Sequence, residues 1–175
     1  MNKKTLFLAQ GAIIGALYTV LTVLAGSLNL ASGVIQVRFS EALTILPAFT
    51  PAAIPGLFVG CVLSNIITGC HPLDVIFGSL ATLLGALGTW CLTHSYSDKK
   101  WSFKNTKANY ALAPLPPVLA NTVIVPFILA YVYQYEGALW FFAVTVGAGE
   151  IISCYILGLC LYSAILPRRE QIFKS

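Results

Sequence analysis

Charged side chains are scarce in this sequence. Only 9% of the 175 residues are Asp, Glu, Lys or Arg, whereas 58% are hydrophobic and the mean hydropathy is +0.83. A soluble domain carries about 25% charged residues, because its surface must be hydrated. The shortage of charge therefore excludes an ordinary soluble domain and predicts an all-α integral membrane protein that forms a single membrane domain, residues 1–175.

Several enzyme motifs are also absent. The sequence contains no GxxxxGK[ST], which excludes nucleotide hydrolysis at a P-loop, and no HExxH or GxSxG, which would mark a metalloprotease or a serine hydrolase. We find no internal repeat, so the chain lacks the duplicated halves of many secondary transporters. If the chain takes part in transport, we expect it to need energising partners.

The cysteines carry no recognisable metal-binding pattern. None of them forms a CxxC pair, and the neighbours Cys70 and His71 lack the spacing of zinc ligands. Cysteines of this kind are usually small apolar packing residues. The sequence therefore predicts no metal site and no cofactor in this chain.

Long apolar runs recur along the chain, and each crossing of a hydrocarbon core of about 30 Å needs roughly 20 helical residues. The sequence predicts a six-transmembrane-helix bundle on this basis. The second crossing is short, and Thr50 and Pro51 are suited to cap and open the third helix. The predicted crossings are Leu6–Leu28, Val37–Phe49, Pro51–Thr68, Pro72–Leu92, Tyr110–Tyr135 and Ala138–Leu166.

Most of the basic residues form three clusters: two at the N-terminus, four in the loop at about residues 95–108, and three at the C-terminus. By the positive-inside rule all three clusters are cytoplasmic, and six crossings place both termini and this loop on one side. The net charge of +4 therefore reports topology rather than a nucleic-acid partner. The clusters are Lys3 and Lys4; Lys99, Lys100, Lys104 and Lys107; and Arg168, Arg169 and Lys174.

The charges outside these clusters, and apart from Asp98 and Glu170, predict a ligand pocket. Glu150 lies about a dozen residues into the sixth crossing, roughly 18 Å deep at 1.5 Å per residue, and Asn121 is also deep. A carboxylate at that depth faces a polar cavity, has a partner or takes up a proton. The groups predicted toward the outer side are Arg38, Glu41, Asn65, His71, Asp74 and Glu136.

Each of these residues has a simpler structural reading. Arg38 and Glu41 can form a surface pair, and Asn121 can bridge two helices through its amide. His71 can begin a helix, and Glu136 can be a solvated loop charge. Glu150 is the hardest to explain without a ligand or a coupling role.

Carboxylates together with amides suit a cationic or donor-rich ligand, because an ionised carboxylate only accepts hydrogen bonds. Nearby aromatic residues can supply a planar stacking surface, although aromatics are also common at membrane interfaces. The sequence therefore predicts a flat, nitrogen-rich ligand. The aromatic candidates are Phe39, Tyr131, Trp140 and Phe141.

The first crossing contains two pairs of small residues, Gly11 with Gly15 and Ala12 with Ala16. Small residues four apart let another helix approach closely. The spacing predicts either a docking stripe for a partner protein or close packing within the bundle.

The run AIIGALYTVLT in the first crossing resembles the substrate-binding S components of energy-coupling factor (ECF) transporters. More specifically, the segment VRFSEALTILPAFTPAAIPGLFVGCVLSNIITGCHPLDVIFGSLATLLGAL is similar to the QueT family, which is assigned to uptake of queuosine precursors. The resemblance implies a six-helix S component in a bacterial cell membrane with both termini cytoplasmic. It also implies a transmembrane coupling (T) subunit and two ATP-binding-cassette ATPases as partners, which would use the ATP.

The implied ligand is a 7-deazaguanine such as preQ1 or preQ0, or queuine. With this ligand, Glu150 or Glu41 would accept hydrogen bonds from the donor edge of the base. Asn65 or Asn121 would donate to its carbonyl. Asp74 or the other glutamate would bind the ammonium of preQ1. The docking motif of the family matches Ala12 and Ala16, with Gly11 and Gly15 beside them. The sequence leaves two alternatives open: an S component for another flat nutrient such as a vitamin or a purine, and an intramembrane enzyme that uses Glu150, Asp74 and His71 as acid and base.

Overall fold

The computed structural model describes residues 2–28, 37–97, 100–103 and 106–173, and nearly all of them are helical. The α-helices are α1 (Lys3–Ser27), α2 (Ala53–Ile67), α3 (Pro72–Thr93), α4 (Lys107–Leu112), α5 (Leu115–Phe127), α6 (Leu139–Glu150), α7 (Gly158–Ile165) and α8 (Arg169–Ile172). Two π-helical segments, Ile128–Val132 and Ile151–Leu157, continue α5 and α6. Two 3-10 helices, Phe39–Ala48 and Leu166–Arg168, complete the helical elements of the described ranges. Asp98, Lys99, Lys104 and Lys174, which the charge analysis uses, lie outside the described residues.

Four described segments are long and apolar enough to cross a membrane: Lys3–Ser27, Pro72–Thr93, Lys107–Val132 and Leu139–Ile172. They correspond to the first, fourth, fifth and sixth predicted crossings. A shorter apolar helix, α2, takes the place of the third and is about 22 Å long at 1.5 Å per residue. The prediction of an all-α membrane protein is confirmed at this level.

The predicted second crossing is a 3-10 helix, Phe39–Ala48, rather than an α-helix. Its ten residues span about 20 Å at 2.0 Å per residue, which is less than the hydrocarbon thickness. It contacts α1, α2, α3, α7 and the second π segment, so it lies in the middle of the bundle. This central position explains why most of its side chains, including Glu41 and Thr44, are buried.

Glycines permit the closest helix crossing in the first half of the bundle. A Cβ atom on Gly56 would lie 2.6 Å from the carbonyl oxygen of Gly11, and one on Gly60 would lie 2.8 Å from that of Gly15. These separations are shorter than normal contacts, so α1 and α2 can meet only if these positions lack side chains. Tyr18, one turn after Gly15, is thereby held at the same interface, 1% exposed.

The loop at about residues 95–108 contains an antiparallel hairpin, β1 (His94–Ser97) with β2 (Lys100–Phe103), which the all-α prediction did not include. The side chain of Phe103 packs near Phe49, and the guanidinium of Arg169 lies 4.9 Å from the Phe103 ring centroid. Burial lowers the pKa of His94, whose ring stacks on Trp90. We call this end of the bundle, which also carries Lys3, the base.

Candidate functional site

The most buried carboxylate of the bundle is that of Glu41, which is 1% exposed. The hydroxyl of Tyr18 on α1 donates a hydrogen bond to Oε1 of Glu41. The amide nitrogen of Asn121 on α5 donates to Oε2 at 3.5 Å. One carboxylate therefore joins three separate elements, because the central 3-10 helix carries Glu41 between α1 and α5.

A second buried carboxylate, Glu150, lies beside the first. Glu150 ends α6, and the π segment that follows turns Cys154 toward it, so that the Cys154 thiol donates to Oε2 of Glu150 at 3.3 Å. One ligand atom each from Glu41, Glu150 and Cys154 lies within 4.8 Å of the others. These three side chains are thus close enough to hold a cation or the donor groups of an organic ligand between them.

We call Tyr18, Glu41, Asn121, Glu150 and Cys154 the deep cluster. Thr44 supports it from the 3-10 helix, where its hydroxyl donates to the Glu41 carbonyl oxygen at 2.6 Å and lies 3.6 Å from the Cys154 sulfur. The cluster is acceptor-rich, since it combines two carboxylates with few fixed donors. Its chemistry favours a ligand that donates several hydrogen bonds or carries positive charge.

Arg38 lies beside the deep cluster at the start of the 3-10 helix. Its backbone N–H donates to the hydroxyl of Ser153 in the π segment at 3.2 Å. Arg38 therefore joins the start of the 3-10 helix to the π segment that follows α6.

A second group of polar residues lies at the upper end, opposite the base. Asp74, 6% exposed, accepts a hydrogen bond from the Tyr133 hydroxyl at 2.8 Å. The same hydroxyl accepts from the backbone N–H of His71 at 3.2 Å. We call His71, Asp74 and Tyr133 the rim cluster, and it joins the start of α3 to the segment that follows α5.

The predicted site residues are only partly brought together. Glu41, Glu150 and Asn121 meet in the deep cluster, and Asp74 and His71 meet in the rim cluster. Asn65 is 2% exposed and lies beside Asp74. Both side chains face Gly78, because a Cβ atom added to Gly78 would lie 3.4 Å from Nδ2 of Asn65 and 3.1 Å from Oδ1 of Asp74. His71 also accepts from Leu73 N–H at 3.3 Å, which is the helix-start role considered from the sequence.

The aromatic candidates are not part of these clusters. Trp140 is 70% exposed, Tyr131 is 72% exposed and Phe141 is 39% exposed. Phe39 is half-buried next to Arg38, and Glu136 is exposed. Among the described residues we find no hydrogen bond or ring contact between these side chains and the deep cluster, so aromatic stacking on the ligand is still a prediction.

The sequence reasoning missed Tyr18, Tyr133 and Cys154. Two signals were available: Tyr18 follows Gly15 by one turn on the small-residue face of α1, and Cys154 follows Glu150 by four residues. Tyr133 had no local signal, because its partners His71 and Asp74 are about sixty residues away in the chain.

The two small-residue pairs of α1 lie on different faces. Gly11 and Gly15 pack against the backbone of α2, whereas Ala12 and Ala16 are exposed. Ile13 and Leu17 beside the alanines are also exposed, at 61% and 48%. The glycines therefore serve close packing within the bundle. The alanines lie on an open apolar face, where docking of a partner protein is still a prediction.

Buried carboxylates inside a bundle of apolar helices long enough to cross a membrane are typical of proteins that bind or move polar solutes across it. The chain belongs to the QueT transporter family, whose family model matches residues 8–167. It is similar to "Queuosine precursor transporter QueT" of Lactococcus lactis subsp. cremoris, with 33% identity over 113 residues, or 64% of this chain. The match spans 66% of that relative, slightly under two thirds of its length. No solved structure matches the chain.

Proposed function

We propose that this chain is the S subunit of an ATP-driven ECF-type importer and that it captures a queuosine precursor from outside a bacterial cell. The observation that carries the proposal is the pair of buried carboxylates, Glu41 and Glu150, with Asn121 beside them in an otherwise apolar bundle. The family membership and the name of the relative support the ligand class. The topology that we propose has six crossings, with the base and both termini cytoplasmic and the rim cluster outside.

The deep cluster suits the donor edge of a 7-deazaguanine. The ring N–H and the exocyclic amine of such a base donate in parallel, and a carboxylate accepts such pairs well. Glu150 or Glu41 takes this role. The 3.5 Å contact between Asn121 and Glu41 is long for a hydrogen bond, so the amide can turn to the ligand carbonyl at little cost.

The carboxylates of the deep and rim clusters also suit a positively charged ligand. The aminomethyl group of preQ1 is cationic, and a buried cation requires an anionic partner. Asp74 of the rim cluster supplies one, and whichever of Glu41 and Glu150 does not bind the base edge supplies another. PreQ0, which lacks the ammonium, is expected to bind more weakly for this reason.

The experiment that tests the ligand class is calorimetric titration of the purified chain with preQ1, preQ0, queuine, guanine and thiamine. We expect tight binding of a deazapurine and none of thiamine. Tight thiamine binding without deazapurine binding would instead support an S component for another flat nutrient. Turnover of any ligand by the chain alone would support the enzyme reading and overturn ours.

The partner proposal rests on the exposed alanine face of α1. Ala12 and Ala16 present a smooth surface on which a helix of a coupling subunit can pack, with ATP hydrolysis carried out by two ATPases in the same complex. Ala12→Trp or Ala16→Trp should abolish co-purification with the coupling subunit and leave ligand affinity unchanged. Ala111→Trp, at an exposed alanine of α4, is the matched control. Assembly that survives both α1 substitutions would exclude this face as the docking surface.

A further inference from the structure

A cavity of about 280 Å³ lies at the base of the bundle, away from the deep and rim clusters. One wall is a face of α1, and the other is formed by the chain between the 3-10 helix and α2 together with the C-terminal end. The lining residues are Lys3, Leu6, Phe7, Gln10, Phe49, Thr50, Pro51 and Phe173. Most of the cavity lining is apolar.

Gln10 presents an unused hydrogen-bond donor at this cavity. The Thr50 hydroxyl accepts from the Ala52 N–H at 3.3 Å and donates to Oε1 of Gln10 at 3.0 Å. In this arrangement Oε1 of Gln10 is paired with Thr50. Its Nε2 is then buried and has no hydrogen-bond partner. A buried donor without an acceptor is unfavourable, so the site is suited to an occupant that brings an acceptor.

Lys3 adds a second free donor to the cavity. Lys3 lies seven residues before Gln10 on the same face of α1, about 10 Å toward the end of the helix. Within the described ranges, no carboxylate lines the cavity. At this end of the described chain, Glu170 is largely exposed and pairs with Arg169 at 3.7 Å. The cavity therefore offers a cation at its mouth, an amide N–H deeper inside, and apolar walls.

A glycerophospholipid has the complementary pattern. Its phosphate is anionic, its ester carbonyls lie deeper and only accept hydrogen bonds, and its acyl chains are apolar. We propose that this cavity binds one anionic glycerophospholipid, with the phosphate at Lys3, an ester carbonyl at Nε2 of Gln10, and the start of an acyl chain against Phe7, Phe49 and Phe173. Basic residues at a membrane surface attract anionic headgroups, and Lys4 and Arg168 surround this end of the bundle.

The site is tested by native mass spectrometry of the full chain titrated with phosphatidylglycerol or phosphatidylcholine. We expect one phosphatidylglycerol per chain to survive mild detergent release, and phosphatidylcholine to bind at least about five-fold more weakly. Gln10→Leu should weaken phosphatidylglycerol binding about five-fold, since one hydrogen bond is lost. Lys3→Glu should weaken it about ten-fold or more, because the charge at the mouth is reversed.

Matched controls separate this site from general attraction of lipid to a basic surface. Lys4→Glu makes the same charge change next to Lys3 but outside the cavity lining, and Gln171→Leu makes the same change at an exposed glutamine of α8. Both should stay within about two-fold of wild type. Lys3 is exposed, so Lys3→Glu tests the site even if Gln10→Leu does not fold. Equal losses for Lys3→Glu and Lys4→Glu would overturn the proposal, as would equal binding of the soluble headgroup glycerol phosphate, which would indicate a free-phosphate site.

Discussion

Two carboxylates of this protein each accept a hydrogen bond from a tyrosine, but they do so in different surroundings. Tyr18 and Glu41 are both 1% exposed and lie between α1, the 3-10 helix and α5. Tyr133 and Asp74 lie at the upper end, and the Tyr133 hydroxyl also accepts from the backbone of His71. The first pair is enclosed by rigid elements, whereas the second joins the ends of two elements.

The difference suggests separate tasks for the two pairs. A carboxylate in the low-dielectric centre interacts strongly with a ligand, because water does not screen it. A hydrogen bond between the ends of two elements contributes little to ligand affinity at the centre of the bundle. It must break, however, when those ends separate. We therefore expect changes in the carboxylates of the deep cluster to alter equilibrium affinity and changes in the rim cluster to alter rates.

The largest expected effect is that of Glu41→Gln. Glu41 accepts from both Tyr18 and Asn121, so the substitution forces an amide N–H toward existing donors. We expect preQ1 affinity to fall by about 3 kcal/mol, roughly 150-fold. Calorimetric titration measures it, and Glu136→Gln, an exposed carboxylate, is the matched control. Unchanged affinity would exclude Glu41 from the ligand site.

Glu150→Gln should have the next largest effect. Glu150 accepts a hydrogen bond from the Cys154 thiol, which is a weak donor, so its two carboxylate oxygens still have acceptor capacity for a ligand. We expect a loss of about 2 kcal/mol, roughly 30-fold, by the same titration. Measuring Glu41→Gln and Glu150→Gln together as a double-mutant cycle shows whether both carboxylates contact one ligand, in which case the two losses will not add.

The fold was predictable where long apolar runs decide it. The crossings that correspond to α1, α3, α5 and α6 follow from hydropathy and length alone. The 3-10 geometry of Phe39–Ala48 and the β1–β2 hairpin did not follow. In both cases contacts with distant parts of the chain determine the local structure, since the 3-10 helix is enclosed by five other elements and Phe103 of the hairpin packs on Phe49.

The candidate site was predictable in its charges and in the deep amide of Asn121. A glutamate deep in an apolar helix stands out in the sequence, and Glu150 was identified on that ground. The tyrosine donors were not identified, because tyrosine is ordinary in membrane helices and its role depends on its partner. The role of Gly11 and Gly15 also depends on a contact that the sequence does not show. Their spacing fits packing against a partner protein or packing within the bundle, and only the position of α2 distinguishes the two.

Tyr18→Phe should reduce stability more than affinity. It removes the donor to Glu41 and leaves a buried acceptor with one long contact to Asn121. We expect the free energy of unfolding in detergent to fall by about 1.5 kcal/mol, the lower end for hydrogen bonds to charged groups. Tyr131→Phe, at a 72% exposed tyrosine, is the control. Equal effects of the two substitutions would mean that the Tyr18 hydroxyl has no structural role.

The smallest equilibrium effect, and the clearest test of separate tasks, is expected from Tyr133→Phe. The substitution removes the hydroxyl that joins Asp74 to the backbone of His71 and preserves the ring. We expect bound preQ1 to dissociate about three-fold to ten-fold faster, with affinity and unfolding free energy changed by less than about 1 kcal/mol, because the upper end opens more often while the deep cluster is intact. Stopped-flow displacement measures the rate, and Tyr135→Phe, whose ring stacks on Tyr133, is the matched control. A dissociation rate equal to that of the control, or a loss of affinity as large as that of Glu150→Gln, would mean that the two tyrosine–carboxylate pairs do not divide binding and closure between them.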